Sequence, residues 1–319
     1  MSFGKRYSGQ PIDRSSRRSI TILPRKTDST PPPAARISAE DNTVTVDDFY
    51  HEGTFWQAVI PLNSIGQVAG QAFNFSKPRT KQGRHGPEIL HDRLGLPKRT
   101  MPWLNHLQCR FVLTGQQAVR LYPEGSDTTG PPAHRVDDFV YSVDAVGPVG
   151  VTFNLRDGLA GNLFSAHRFL STREMVFERI VIGGQYLTES PPLPLHETQK
   201  RALLTRSLLR SHRAGAHEPY YLYRPCRTNN CTSNPFQILD QVMDYSLLQR
   251  AGALLYRLPF NPRLYLRLRG LDAEPNFRKL LRDEFATYIH APETQQRKRD
   301  TVRARVRAQR AARAARGNG

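Results

Sequence analysis

Cys231 has the sharpest chemical context in the chain, within Asn229-Asn230-Cys231-Thr232-Ser233-Asn234-Pro235. Thr232, Ser233 and Asn234 are helix-capping residue types and Pro235 suits a first turn, so a helix is expected to open just after the thiol. The positive end of its dipole favours a thiolate and predicts a lowered pKa. A thiolate so placed is the nucleophile of cysteine hydrolases and acyltransferases, which work through a thioester. The backbone N–H groups of Thr232, Ser233 and Asn234, unpaired at a helix start, are the expected donors to an oxyanion. The competing reading is a small buried hydrophobe, the usual role of a free cysteine.

A nucleophilic cysteine needs a base. Of the ten histidines, His106 has the informative position. From Asn105 to Leu113 the apolar residues alternate, which places Leu107, Cys109, Phe111 and Leu113 on one strand face and His106, Gln108 and Arg110 on the other. His106 is expected to face away from the core on a half-exposed strand, where a helix bearing Cys231 presents its thiol; the alternative is an ordinary surface histidine. Cys109 reads as core. His167, in Phe164-Ser165-Ala166-His167-Arg168-Phe169, is expected in a short turn as a third member, a substrate contact or a structural histidine. A zinc site from His106, Cys109, Cys226 and Cys231 fails on geometry, because His106 and Cys109 point to opposite strand faces while four ligands must converge on one tetrahedron. No phosphate loop, dinucleotide fingerprint, Gly-x-Ser-x-Gly elbow or His-Glu-x-x-His is present, so no cofactor is expected.

These residues must be positioned by the segments around them. Strands are expected at 43–46, 56–60, 104–113, 117–122, 139–146, 149–155 and 175–182. Residues 76–100, basic and punctuated by Gly and Pro, read as a loop, as does the polar stretch 123–135. Helices follow. One spans 195–213, with Leu203, Leu204, Leu208 and Leu209 in one stripe. A second opens at Pro235 with Phe236, Ile238, Leu239, Val242 and Met243 inward, a pattern that Leu247 and Leu248 extend. A third covers 274–289. Strands followed by helices indicate an α+β fold, an antiparallel sheet packed on helices.

The chain has 319 residues, enough to bury a core without disulfide staples, and its three cysteines are too few for a disulfide scaffold. The net charge of +18 suggests a polyanion partner until it is divided along the chain. Residues 1–36 carry eight Lys/Arg against two Asp, and residues 293–319 carry nine against two acids, so more than two thirds of the excess lies in the ends. Residues 1–36, rich in Ser, Arg and Pro, read as a disordered basic arm. Residues 293–319, rich in Ala and Arg, read as a solvated basic tail suited to helix, and 37–292 as a single domain. Either end could hold an anionic partner, a membrane surface or nucleic acid. No stretch approaches the ~20 apolar residues of a membrane helix, and the first residues lack the apolar core of a secretory signal, which favours the cytoplasm.

Three further groups of residues have a familiar order: Glu218-Pro219-Tyr220-Tyr221-Leu222, Asn230-Cys231-Thr232 and Ile238-Leu239-Asp240. With the upstream His106 strand, they resemble the bacterial family of the Lnb N-terminal periplasmic domain, over roughly residues 100–245. The resemblance implies a papain-like thiol fold, permuted so that the His106 strand precedes the Cys231 helix. It implies an acidic residue after a Ser-Val pair that orients the histidine. The match here is Ser142-Val143-Asp144, with Asp in place of the usual Glu and the 123–135 loop as an insertion between the strands. It implies a periplasmic setting and an acyl or amide substrate, by hydrolysis or acyl transfer. The rival expectation is a catalytically degenerate member, a binding or scaffold protein with basic ends.

Overall fold

The computed structural model describes all residues except 1–4, 8, 25–36, 77, 84–85, 93–96, 102–103, 152, 225–227, 254–261, 273, 275–278 and 318–319. Its first strands are β1 (Thr21–Ile22), β2 (Thr43–His51), β3 (Thr54–Pro61), β4 (Ile65–Asn74), β5 (Thr80–Gly83), β6 (Gly86–Ile89) and β7 (Asn105–Leu113). Then come β8 (Val119–Tyr122), β9 (His134–Val136), β10 (Asp138–Val146), β11 (Leu163–Ser171), β12 (Thr188–Glu189), β13 (Pro219–Tyr220) and β14 (Lys279–Leu280). The helices are α1 (Leu155–Ala160), α2 (Thr172–Val176), α3 (Glu197–Ala214), α4 (Ser233–Asp240), α5 (Leu247–Ala253), α6 (Pro262–Leu268), α7 (Leu281–Glu284), α8 (Ala286–His290) and α9 (Pro292–Gly317). Twelve strands form one sheet in the order β14-β12-β4-β7-β10-β11-β2-β3-β8-β9, with β1 beside β2 and β13 beside β11. Every pairing except the parallel β11–β2 contact is antiparallel. The fold is α+β with a large, mostly antiparallel sheet.

β7 lies near the middle of this sheet and shows why the fold has three layers. Its apolar face, Leu107, Phe111 and Leu113, packs with Leu203, Leu204 and Leu208 of α3 and with Phe236, Ile238 and Leu239 of α4. Each fully buried Leu or Phe contributes about 1.5–3 kcal/mol. The opposite face is buried too, which the expected half-exposed strand does not allow for. His106 is 6% exposed, and Gln108 and Arg110 are likewise buried. Their face is covered by a second apolar cluster, with Phe73, Val140, Leu170, Met175, Val176, Leu187 and Leu281. The polar side chains there form a network: Arg110 holds Asp138, Glu189 and Glu284, and Gln108 donates to Gln71, which donates to Glu189.

Several segments differ from the sequence expectation. The 149–155 stretch is not a strand; it leads into α1, where Asn154 caps the helix by accepting from the Asp157 N–H. The 175–182 stretch is α2 followed by a π-helical turn, Phe177–Ile182. Its signal was the Ser171-x-x-Glu174 start, with the Ser171 hydroxyl accepting from the Glu174 N–H; an unbroken apolar run cannot distinguish strand from helix by period. Of the expected 274–289 helix, residues 275–278 lie outside the described residues and the rest is divided among β14, α7 and α8, because Lys279 and Leu280 pair with β12. Leu247 and Leu248 do not extend α4; they begin α5 and are 84% and 86% exposed. The 76–100 loop holds the β5–β6 hairpin.

The expected disordered arm is in part docked. β1 pairs with β2, and Ile20 and Ile22 join the main core. Their N–H groups donate to Ser211 Oγ and His212 Nδ1 on α3, at 3.0 and 3.1 Å. Apolar residues at i and i+2 supply a strand face inside a basic segment, which average composition hides. Residues 25–36 lie outside the described residues. The tail is helical, and its start docks, with Arg297 pairing Glu174 at 2.8 Å and lying 3.8 Å over the Phe177 ring. Among the described residues, no helix is long and apolar enough to cross a membrane.

Candidate active site

Two elements deliver the thiol and the imidazole to one place. β7 starts with Asn105-His106, and Cys231 precedes α4 by two residues. The turn that carries Cys231 is built by asparagines. Asn230 Oδ1 accepts from the N–H groups of Thr232 at 2.8 Å and Ser233 at 2.7 Å, and the Asn234 N–H reaches the Asn230 carbonyl at 3.3 Å. Asn234 in turn donates through Nδ2 to Asn229 Oδ1 and to the Asn230 carbonyl, and accepts from Arg210. The three amides expected to stabilise an oxyanion are therefore already bonded. Asn230, through its side-chain oxygen for Thr232 and Ser233 and its carbonyl for Asn234, satisfies this helix start in place of an approaching substrate.

Cys231, His106 and Asp144 line one cavity of about 250 Å³, together with Arg17, Phe73, Phe75, Ala145, Phe153, Arg179 and Tyr220. Cys231 is 1% exposed. The Tyr220 hydroxyl donates toward its sulfur at 3.8 Å, and Thr232 Oγ1 lies at 4.0 Å. Burial raises the thiol pKa, against a lowering backbone hydrogen bond from Leu107 and those from Tyr220 and Thr232. The expected depression by the helix dipole is thus overturned: desolvation outweighs it, and the amides nearest the thiol spend their polarity on Asn230.

His106 Nε2 is 2.8 Å from Ser142 Oγ and 3.7 Å from Asp144 Oδ1. Ser142 Oγ also donates to Asp144 at 3.4 Å. A hydroxyl that donates to the carboxylate accepts from the ring, so Nε2 carries the proton and Nδ1 keeps a lone pair. The ring stacks on Phe73 at 4.6 Å between centroids, and the Arg179 guanidinium also lies 4.6 Å from that ring. Burial lowers the His106 pKa to about 3, although Asp144 pulls it up. Asp144 is held at 2.7 Å by Arg168, at 2.9 Å by Arg179 and at 3.9 Å by Arg17. Burial pushes its pKa up, but these cations hold it well below the usual carboxylate value. Among the described residues no hydrogen bond joins Cys231 to His106. At rest the pair is a neutral thiol and a neutral imidazole facing one cavity, backed by a permanent carboxylate.

His167 is elsewhere. It lies within β11, not in a turn, with Nδ1 2.7 Å from the Tyr141 hydroxyl and Nε2 3.4 Å from Glu218. Its neighbour Arg168 points to the Asp144 face, so strand alternation turns His167 the other way, into the α3 side. Burial lowers its pKa to about 4. Cys109 faces the α3–α4 core, opposite to His106, and burial raises its thiol pKa strongly. Cys226 lies outside the described residues. Metal-ligand atoms come within 4.8 Å of one another at His51, Glu52 and His134 among the described residues, away from the cavity.

Ser142, Tyr220, Arg17 and Arg179 were not read from sequence as site members. Tyr220 stands in a motif quoted above but has no local mark of a role. Arg17 lies in a composition that reads as disorder, and Arg179 in a segment read as a strand. Compared with known families, characterised proteins and solved structures, the chain matches none.

Proposed function

We propose that this chain is a cysteine-dependent hydrolase or acyltransferase, with Cys231 as nucleophile and His106 as general base. One observation carries the reading: three residues separated by tens of positions in the chain, Cys231, His106 and Asp144, line the same cavity. His106 Nδ1 takes the Cys231 proton as sulfur attacks the substrate carbonyl. The new imidazolium is stabilised by Asp144 through Ser142, while the proton on Nε2 stays in place. Collapse of the tetrahedral adduct breaks the bond to the leaving group, which receives the proton from Nδ1, and leaves a thioester. Water or an acceptor nucleophile, deprotonated by the same nitrogen, then releases the acyl group. The Tyr220 hydroxyl, 3.8 Å from the sulfur, is the side-chain donor placed to meet the oxyanion. The chain order, with His106 before Cys231, is the order that the resemblance implies.

The test is chemical trapping. The full chain is incubated with p-nitrophenyl acetate and the adduct is located by peptide mass spectrometry. Acetylation is expected on Cys231, lost in Cys231→Ala, and slowed ~10²-fold in His106→Ala. Acetylation of Cys109 instead, or of Cys231 at a rate indifferent to His106, removes the enzyme reading and leaves a binding protein with a degenerate site.

A further inference from the structure

The cavity holds more positive charge than the dyad uses. Around Asp144 stand Arg168, Arg179 and Arg17, and Arg168 is held a second time by Glu178 at 2.6 Å. Three guanidinium groups thus share two carboxylates. The surplus falls on Arg17, the most distant of the three from Asp144 and 38% exposed. Arg17 and Arg179 both line the cavity beside Cys231. Phe75 and Phe153 add apolar wall.

Arg17 is not on a free end. The segment before it is tied to the body by the Asp13 N–H to the Gly147 carbonyl at 2.9 Å, and the segment after it by the Ile20 N–H to Ser211. Arg18 pairs with Asp48 at 3.0 Å. The N-terminal segment therefore builds a wall of the cavity.

We propose that the substrate carries a carboxylate next to its reacting carbonyl, bound by Arg17 and Arg179 while the carbonyl lies over the Cys231 sulfur. This rests on Cys231 being the nucleophile. A planar guanidinium reads a carboxylate through paired N–H donors, and the apolar wall takes the carbon skeleton.

Two alkylating reagents of nearly equal size separate charge from reactivity. Iodoacetate carries the carboxylate; iodoacetamide does not. Second-order rates at Cys231 are measured for both on the full chain at one alkaline pH, with the site assigned by peptide mass spectrometry and free cysteine as reference. The iodoacetate-to-iodoacetamide ratio is expected to exceed that of free cysteine by roughly tenfold, as one charge-assisted hydrogen bond supplies. Arg17→Gln is expected to bring the ratio close to that of free cysteine, and Arg17→Lys, which keeps the charge, to restore much of it. Raising the salt lowers the ratio in the parent. A parent ratio equal to that of free cysteine, or one unmoved by Arg17→Gln, overturns the carboxylate assignment and leaves Cys231 as nucleophile. Failure of both reagents to label Cys231 overturns the nucleophile itself and this inference with it.

Discussion

Asp144 stands 3.7 Å from His106 Nε2, and the Ser142 hydroxyl bridges them, 2.8 Å from the ring nitrogen and 3.4 Å from the carboxylate. The bridge fixes the imidazole tautomer, because Ser142 has one proton and gives it to the acid. It also carries charge stabilisation from a group that is otherwise engaged with guanidinium partners. A direct His–Asp bond would have to compete with Arg168 and Arg179 for the same oxygens.

Ser142→Ala tests the bridge. The Nε2 proton then has no hydroxyl to meet and the ring loses one tether, though Phe73 still stacks on it. The expected loss of stability is about 1–3 kcal/mol, the cost of a buried donor left unpaired. The thioester-forming rate is expected to fall further than stability alone explains, and Ser142→Thr, which keeps the hydroxyl, to recover part of it. Urea unfolding and acetylation of Cys231, run on the same samples, separate the two effects. A Ser142→Ala protein with a parental acetylation rate would show that the bridge has no role in orienting His106.

Asp144→Asn removes the anion from a cluster of buried cations. Arg168 is fully buried and Arg179 partly buried, and each loses an ion pair. Breaking one side of such a pair costs about 3–5 kcal/mol, so a large drop in urea midpoint is expected. The linkage has a definite sign. The folded pKa of Asp144 lies well below its ordinary 3.8, so the unfolded chain binds the proton first. Its contribution is complete above about pH 4 and is lost as pH falls through the folded value. The acid arm of the stability profile should therefore flatten in Asp144→Asn relative to the parent.

Much of the site was legible in sequence because it depends on local patterns. Strand alternation alone places His106 and Cys109 on opposite faces, and capping chemistry alone places Cys231 before a helix. What was not legible depends on the second layer. The 105–113 period identifies a polar face but not that Met175, Val176 and Leu281 cover it. Burial under that layer makes His106 neutral, and the burial of Cys231 keeps it a protonated thiol, the reverse of the thiolate that the isolated helix start suggests. The fate of the Thr232, Ser233 and Asn234 amides turns on which residue bonds them. Asn230 sits two residues before the first of them, where sequence offers several capping candidates in a row.

Asn230 is accordingly the residue on which the thiol's position depends. Asn230→Ala frees the Thr232 and Ser233 amides and should cost about 0.5–2 kcal/mol as a lost cap. It also unties the main chain on one side of Cys231, since Asn230 Nδ2 anchors to the Leu222 carbonyl at 2.7 Å. Faster iodoacetamide labelling of Cys231 with slower acetylation is the expected combination: a more open thiol in a poorer geometry. Slower labelling would mean that Asn230 does not restrain the turn.

Three buried histidines make a joint prediction about acid. Burial lowers His106 to about 3, and His51 and His167 to about 4, from an ordinary 6.5. Between those values and 6.5 the unfolded chain binds protons that the folded chain refuses, so stability rises with pH across that window. On lowering pH from 6.5 to 4 the melting temperature should fall, and His106→Gln should lessen the fall. The check is a thermal melt at each pH, paired with NMR of the imidazole C–H signals. Titration of the His106 ring with a midpoint near 6.5 would show that its environment is far wetter than the sheet and helix layers around it imply, and the neutral-pair mechanism would give way to a thiolate–imidazolium one.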